Sequence, residues 1–252
     1  MNWQTGKSGC GQPDLPVCQF TSEWSPLDNS QEMANTTEAS SMKMLQTMVG
    51  IGLICALMIV LSFQLTLPRI EQLKAEALEK AIFKVIPGMV TKRTFQIGPD
   101  NTLTEVSGNV KNARLLYAGY DKDGKLAGVA VEASGMGFAD ILRIIYGYDP
   151  VKQQVVGFYV LESKETPGLG DKIEKDAAFL ANFKAMDVAL AEDGNSVKNT
   201  VVTVKHGTKK NAWEIDAITG ATISSRAIGN IMGTSTQQMA PLILKNKEIF
   251  EK

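Results

Sequence analysis

Residues 216–225 read Asp-Ala-Ile-Thr-Gly-Ala-Thr-Ile-Ser-Ser, which sets the hydroxyl of Thr222 directly after a Gly-Ala pair and before an expected helix start. A turn of small residues leaves room around that hydroxyl. The helix that follows would present unpaired backbone N–H groups and the positive end of its dipole, the usual means of holding a phosphate. The same residues also suit an ordinary Ser/Thr-rich N-cap. A second segment with chemical potential is Glu-Thr-Pro-Gly-Leu-Gly at 165–170, where turn-forming residues follow an apolar strand. Its backbone amides could bond the edge of a flat heterocycle while Leu169 packs on the face. A purely structural turn fits equally well.

Other patterns carry less. Gly119 to Lys125 matches the opening of a phosphate-binding loop, but Leu126 stands where a Ser or Thr must bind magnesium, so a hairpin is the better reading. Asp121 and Asp123 lack the remaining ligands of a calcium loop. Asn35-Thr36-Thr37 has the pattern of a glycosylation sequon, and His206 has no ligand-spaced partners. Three cysteines (Cys10, Cys18, Cys55) and one histidine are too few for a zinc or iron–sulfur site made by this chain alone. Cys10 and Cys18 are free thiols or, in an oxidising compartment, a local pair. A net charge of -1 and no basic stripe argue against nucleic-acid binding.

These motifs need a scaffold, and the chain divides into three parts. Residues 1–43 form a polar tail with too few large apolar residues to offset ordering entropy, which predicts disorder. Residues 44–67 are uncharged and, as a helix, long enough to cross the roughly 30 Å hydrocarbon core. Gly52 and Ala56 in that span form a small-xxx-small pair that would admit a neighbouring helix. Pro68 and Arg69 mark the exit from lipid. Residues 68–252 comprise a linker helix, from Ile70 to Ile86 with a stop at Pro87-Gly88, and an α+β domain. Strands are expected at 113–120, 126–133, 155–161 and 200–205, with hairpin turns at 121–124 and 149–152. Helices are expected at 176–191 and from Ser224 towards Phe250, the latter interrupted at Pro241.

Taken together, Glu165 to Gly170 followed by Asp216 to Ser225 resembles the FMN-binding domain family, over about residues 70–239. Within it the chain is most similar to the G subunits of Rnf-type ion-translocating electron transport complexes, as the 161–173 run and Gly135-Met-Gly-Phe138 indicate. The resemblance implies an α+β fold of one N-terminal transmembrane helix followed by one FMN-binding domain. It implies FMN joined through a phosphoester to Thr222, with Asp216, Thr219, Gly220, Ala221, Glu165, Thr166, Gly168, Leu169 and Arg226 as further cofactor-binding residues, and neither catalytic nor metal-binding residues. An unaided alcohol is a weak nucleophile, so attachment requires a separate flavin transferase recognising Asp216 and the Gly220-Ala221-Thr222 turn. The other implied partners are membrane subunits of the complex, which couples electron transfer to ion translocation. A histidine often precedes the Glu-Thr-Pro-Gly segment in relatives, whereas Ser163 and Lys164 stand here, so no role of that histidine carries over.

The resemblance also implies a single-pass inner-membrane protein with its domain on the periplasmic or external side. The flanking charges point the other way, with only Lys43 before the span and Arg69, Lys74, Lys80 and Lys84 after it. Two alternatives remain: the C subunit of a sodium-translocating NADH:quinone reductase, and a membrane-tethered structural subunit without flavin.

Overall fold

The computed structural model describes residues 41–106 and 113–250. The expected tail up to residue 40, Cys10, Cys18 and the sequon at Asn35 therefore lie outside the described residues. By its contacts the chain divides into two units, Met1–Phe63 and Gln64–Lys252.

The described part of the first unit, residues 41–63, is helical and exposed throughout. Its apolar side chains are unburied by protein, as expected of a segment whose solvent is lipid. The helix α1 runs from Ser41 to Val85 without a break, with Pro68 inside it. Proline removes one backbone hydrogen bond and crowds the preceding turn, yet here it does not separate the span from the linker helix. The linker continues the same helix, and Pro87-Gly88 ends it, with Gly88 at φ +82°.

In the second unit, β1 (Thr91–Ile97), β2 (Leu103–Glu105), β3 (Leu115–Tyr120), β4 (Leu126–Met136), β5 (Ile141–Asp149), β6 (Gln154–Glu162) and β7 (Met186–Asp187) build one antiparallel sheet in the order β2-β1-β3-β4-β5-β6-β7. Both expected hairpin turns are present, each held by an aspartate at its start. Asp121 Oδ1 accepts the N–H groups of Asp123 and Lys125, and Asp149 Oδ1 those of Val151 and Lys152. Strands β1, β2, β5, β7 and β9 (Glu214–Asp216) were not expected from the sequence.

Side-chain alternation assigns the sheet faces. Leu116, Val129, Val131, Ile144 and Tyr146 join the main core, which includes Ala227, Ile228, Ile231 and Met232 of helix α4 (Thr222–Lys245). Tyr117, Ala130 and Ile145 face Ala81, Ile82 and Val85 at the end of α1. Gly147 and Gly157 permit that contact, since a Cβ on either would collide with the Val85 carbonyl oxygen. Beyond the sheet, β8 (Val202–Val204) pairs in parallel with β9. It packs on α4, where a Cβ at Gly229 would strike Thr203.

Two helix expectations are corrected. In place of one helix over 176–191 there are short turns, α2 (Lys172–Lys175) and α3 (Ala177–Ala181), then β7. The Phe179, Phe183 and Met186 spacing that reads as a helical stripe is buried by other means: Phe183 stacks on Phe158 at 4.1 Å and Met186 pairs with Val155. Helix α4 runs through Pro241 and stops at Asn246, followed by α5 (Lys247–Phe250). Pro241 is buried, so packing outweighs the missing hydrogen bond.

Candidate functional site

The two motifs singled out in the sequence lie 59 positions apart at Glu165 and Ser224, and the fold joins them there. Glu165 is 5% exposed. Its Oε1 accepts the backbone N–H of Phe138 at 2.7 Å and of Ala139 at 3.1 Å, and its Oε2 accepts the Ser224 hydroxyl at 2.5 Å. One carboxylate thus fixes three segments: the β4–β5 tip, its own turn and the start of α4. Glycines make room for it. A Cβ on Gly137 would collide with Glu165 Oε1, and one on Gly170 would lie 2.7 Å from Oε2. Gly168, at φ +81°, turns the 165–170 loop back on itself and leaves Thr166, Gly168 and Leu169 exposed.

The start of α4 is built from the other motif. Gly220 takes φ +86°, a conformation costly for any residue with a Cβ. Ser225, fully buried, accepts the Ile218 N–H at 3.1 Å and donates to the Ala221 carbonyl at 2.8 Å, which locks the 218–221 turn. Thr219 and Gly220 are exposed on that turn, and Ala221 is buried beneath it. The N-cap is Ala221, which has no side-chain acceptor to give, so the first-turn N–H groups of α4 receive no capping side chain. Thr222 is the first helical residue. Its half-buried hydroxyl donates to the Ile218 carbonyl across 3.5 Å, the outer limit of a hydrogen bond. Arg226, one turn further on, is exposed.

Asp216 is turned away from the α4 N-terminus. Its Oδ1 accepts the Gly207 N–H at 2.7 Å, and its Oδ2 lies 3.5 Å from His206 Nδ1. The exposed His206 ring also contacts the Ala217 carbonyl at 3.0 Å. The buried Asn182 holds the Asp216 backbone on both sides, accepting its N–H at 3.2 Å and donating to its carbonyl at 3.4 Å.

At the β4–β5 tip, Lys164 pairs with Asp140 at 2.5 Å. The ammonium hydrogen bond, with help from the Ile141 N–H, holds the Asp140 carboxyl below its ordinary value, and the same pair raises Lys164.

Sequence reasoning missed Asn182 and Ala139, and gave no role to Ser224 and Ser225 inside the 216–225 motif or to Gly137 and Phe138 inside the segment that carries the resemblance. A physical signal for the β4–β5 tip was the pair of glycines, Gly135 and Gly137, breaking an otherwise β-rich run, a usual mark of close approach. Gly135 indeed meets Ile231 of α4, 2.6 Å from where its Cβ would stand.

The arrangement offers an accessible alcohol at an uncapped helix N-terminus, a nearby cation and a rigid loop pair. A family model described as FMN-binding domain matches residues 137–235, the stretch from the β4–β5 tip to the middle of α4. Among curated proteins, the G subunit of an ion-translocating oxidoreductase complex from Methanosarcina acetivorans is 29% identical over 186 residues, 74% of this chain and 87% of that protein. The G subunit of the same kind of complex from Erwinia tasmaniensis is 30% identical over 175 residues, 68% of this chain and 76% of that protein. Two solved structures share the fold. NqrC of Shewanella oneidensis has TM-score 0.50 and 20% identity, covering 67% of this chain and 88% of its own. The C subunit of the Na(+)-translocating NADH-quinone reductase of Parabacteroides distasonis has TM-score 0.52 and 19% identity, covering 73% and 96%. The fold likeness spans the quinone reductase proteins, while the sequence matches name the other complex: the chain belongs to the family of G subunits of ion-translocating oxidoreductase complexes.

Proposed function

We propose that this chain is a membrane-bound electron-transfer subunit of an Rnf-type ion-translocating complex, and that it carries FMN as a phosphoester on Thr222. The observation that carries the proposal is the start of α4. Thr222 presents a half-exposed, weakly held hydroxyl there, and Ala221 leaves the first-turn N–H groups without a competing cap. A phosphodiester retains one negative charge, which those N–H groups and the helix dipole stabilise. Arg226 adds a guanidinium on the same helical face. Bound FMN supplies the redox chemistry; the chain supplies position, and a covalent tether prevents loss of the cofactor between electron transfers. Glu165 and Asp216 contribute by shaping the two loops around the tether. Thr166, Gly168, Leu169, Thr219 and Gly220 provide the accessible surface.

Attachment requires a partner. No general base is hydrogen-bonded to the Thr222 hydroxyl among the described residues, so a flavin transferase has to activate it. Thr222→Ala is expected to abolish the flavin fluorescence of the denatured protein in a gel. Fluorescence persisting in that variant would remove the assignment.

We place the domain on the periplasmic or external side, against the flanking charges. Two of the four basic residues after the span have work in the folded domain: Lys74 pairs with Glu162 at 3.4 Å, and Lys84 lies 4.5 Å over the Tyr159 ring. Their presence is therefore accounted for without a topological role. A reporter fused after Lys252 is expected to be active outside the cytoplasm; activity confined to the cytoplasm would overturn this topology.

A further inference from the structure

The linker half of α1 and the β4–β5 hairpin run side by side. A Cβ on Gly147 would strike the Val85 carbonyl oxygen, and Lys74 pairs at 3.4 Å with Glu162, which is in register with Arg143 and bonded to it at 3.3 Å. From Val85 back to Lys74 the helix rises about 16 Å, and from Gly147 back to Arg143 strand β5 covers about 13 Å, so the two axes are close to parallel. Continuing to Ile141 adds about 7 Å of strand, which brings the hairpin level with Ile70 and Arg69 of the helix. The turn at 137–140 lies further on in the same direction. Glu71 and Met136 accordingly line one cavity. Residues 64–67, the end of the apolar run, belong to the same unit as the sheet. The hairpin tip therefore stands at the height where the helix leaves lipid.

The side of the tip that looks towards the helix is apolar. Met136 and Ile141, the last register pair of the hairpin, are 67% and 54% exposed. Alternation from Ala130 and Ile145 puts both on the face that carries α1. Leu67, Ile70 and Leu73 of the helix are exposed at the same height. We propose that Met136 and Ile141 dip into the bilayer surface and hold the domain against lipid, an inference that rests on residues 44–67 being the membrane span and holds for either side of the membrane. The headgroup layer is roughly 5–8 Å thick on each side of the hydrocarbon, so side chains level with Ile70 meet the boundary between headgroups and acyl chains. Two side chains beside a helix fall far short of the roughly 800 Å² per partner of a stable protein interface. They suit an interfacial anchor, in which a few apolar groups enter lipid and a basic group such as Arg69 stays among the phosphates. Glu165 joins this hairpin to the start of α4, so anchoring the tip also sets the height of Thr222 above the membrane.

The test uses the full-length chain in phospholipid vesicles, with Cys10→Ser, Cys18→Ser and Cys55→Ser removing the native thiols. A bimane fluorophore is attached at Ala139→Cys on the tip or at Val151→Cys on the hairpin at the other end of β5, both exposed positions. Quenching is read with lipids that carry a nitroxide near the headgroup end of the acyl chain. The expected result is strong quenching of the label at position 139 and none at 151. Adding Met136→Ser with Ile141→Ser is expected to lower the ratio of quenchable to unquenchable tip label about tenfold, the effect of taking two half-immersed apolar side chains out of lipid. Met136→Leu with Ile141→Val should restore it. Both side chains are exposed, so folding is expected to survive, as thermal unfolding of each variant will show. Equal quenching at the two positions would overturn the proposal, and so would tip quenching indifferent to the serine pair. A wild type released from the vesicles by alkaline carbonate would overturn the span itself. A tip label that lipid nitroxides leave unquenched, and that becomes shielded from an aqueous quencher only when other subunits are added, would give the tip to a protein partner and overturn the proposal.

Discussion

Removing the Glu165 side chain tests whether one carboxylate organises the site. It accepts three hydrogen bonds, from Phe138 N, Ala139 N and Ser224 Oγ, at 5% exposure. A bond to a charged acceptor contributes about 1.5–3 kcal/mol. Water can enter the hole left by Glu165→Ala and recover part of that, so the low end applies, giving about 4.5 kcal/mol over three bonds. Glu165→Gln should cost much less, about 1–2 kcal/mol. Its carbonyl oxygen can keep both backbone donors, and its NH2 can donate to Ser224 once that hydroxyl rotates. For a domain of this size about 2–4 °C is lost per kcal/mol. Thermal unfolding followed by circular dichroism should therefore fall by roughly 10 °C for Glu165→Ala and by a few degrees for Glu165→Gln. Ser224→Ala strands Oε2, and the double variant with Glu165→Ala should be less destabilised than the sum of the singles by about 1–2 kcal/mol. Glu165→Ala melting within about 2 °C of wild type, or strict additivity with Ser224→Ala, would refute the clasp.

Two further outcomes follow from the same geometry. Gly220→Ala puts a Cβ on a backbone at φ +86° and is expected to cost about 1–2 kcal/mol, with reduced FMN attachment because the turn before Thr222 must shift; attachment and stability equal to wild type would contradict that. Asp140 is held below its ordinary value by Lys164, so the stability it confers is present above the unfolded pKa and is lost only as pH falls through the lower folded value, below about 4. A carboxyl titration followed by NMR should place Asp140 below a free aspartate, and Lys164→Met should move it back up. A wild-type midpoint at or above about 3.9 would count against the pairing.

How much of this was legible in the sequence depended on how local each feature is. The turn at Gly220 and the start of α4 are set by adjacent residues, so the turn could be read directly and the helix start to within two residues, expected at Ser224 and found at Thr222. The apolar run of α1 and the aspartate-led hairpins at Asp121 and Asp149 were legible for the same reason. The stripe of Phe179, Phe183 and Met186 was ambiguous, because positions spaced for one helical face can also be buried by a turn followed by a strand, which is what pairing with β6 selects. Strand β5 escaped because both faces of the sheet are covered, Ile144 towards α4 and Ile145 towards α1, which removes the polar alternation that marks a half-exposed strand. Glu165 stood out in the sequence by its motif, but its direction was not legible. Nothing near it in sequence says that its partners are Phe138, Ala139 and Ser224, and only the folded sheet brings them together.

The most direct test of the central claim is mass analysis of the peptide containing Thr222, from protein produced with and without a flavin transferase. A covalent tether predicts an increment of one FMN, localised to Thr222 by fragmentation, only when the transferase is present. An unmodified Thr222 in protein made with the transferase, or FMN carried by another residue, would contradict it.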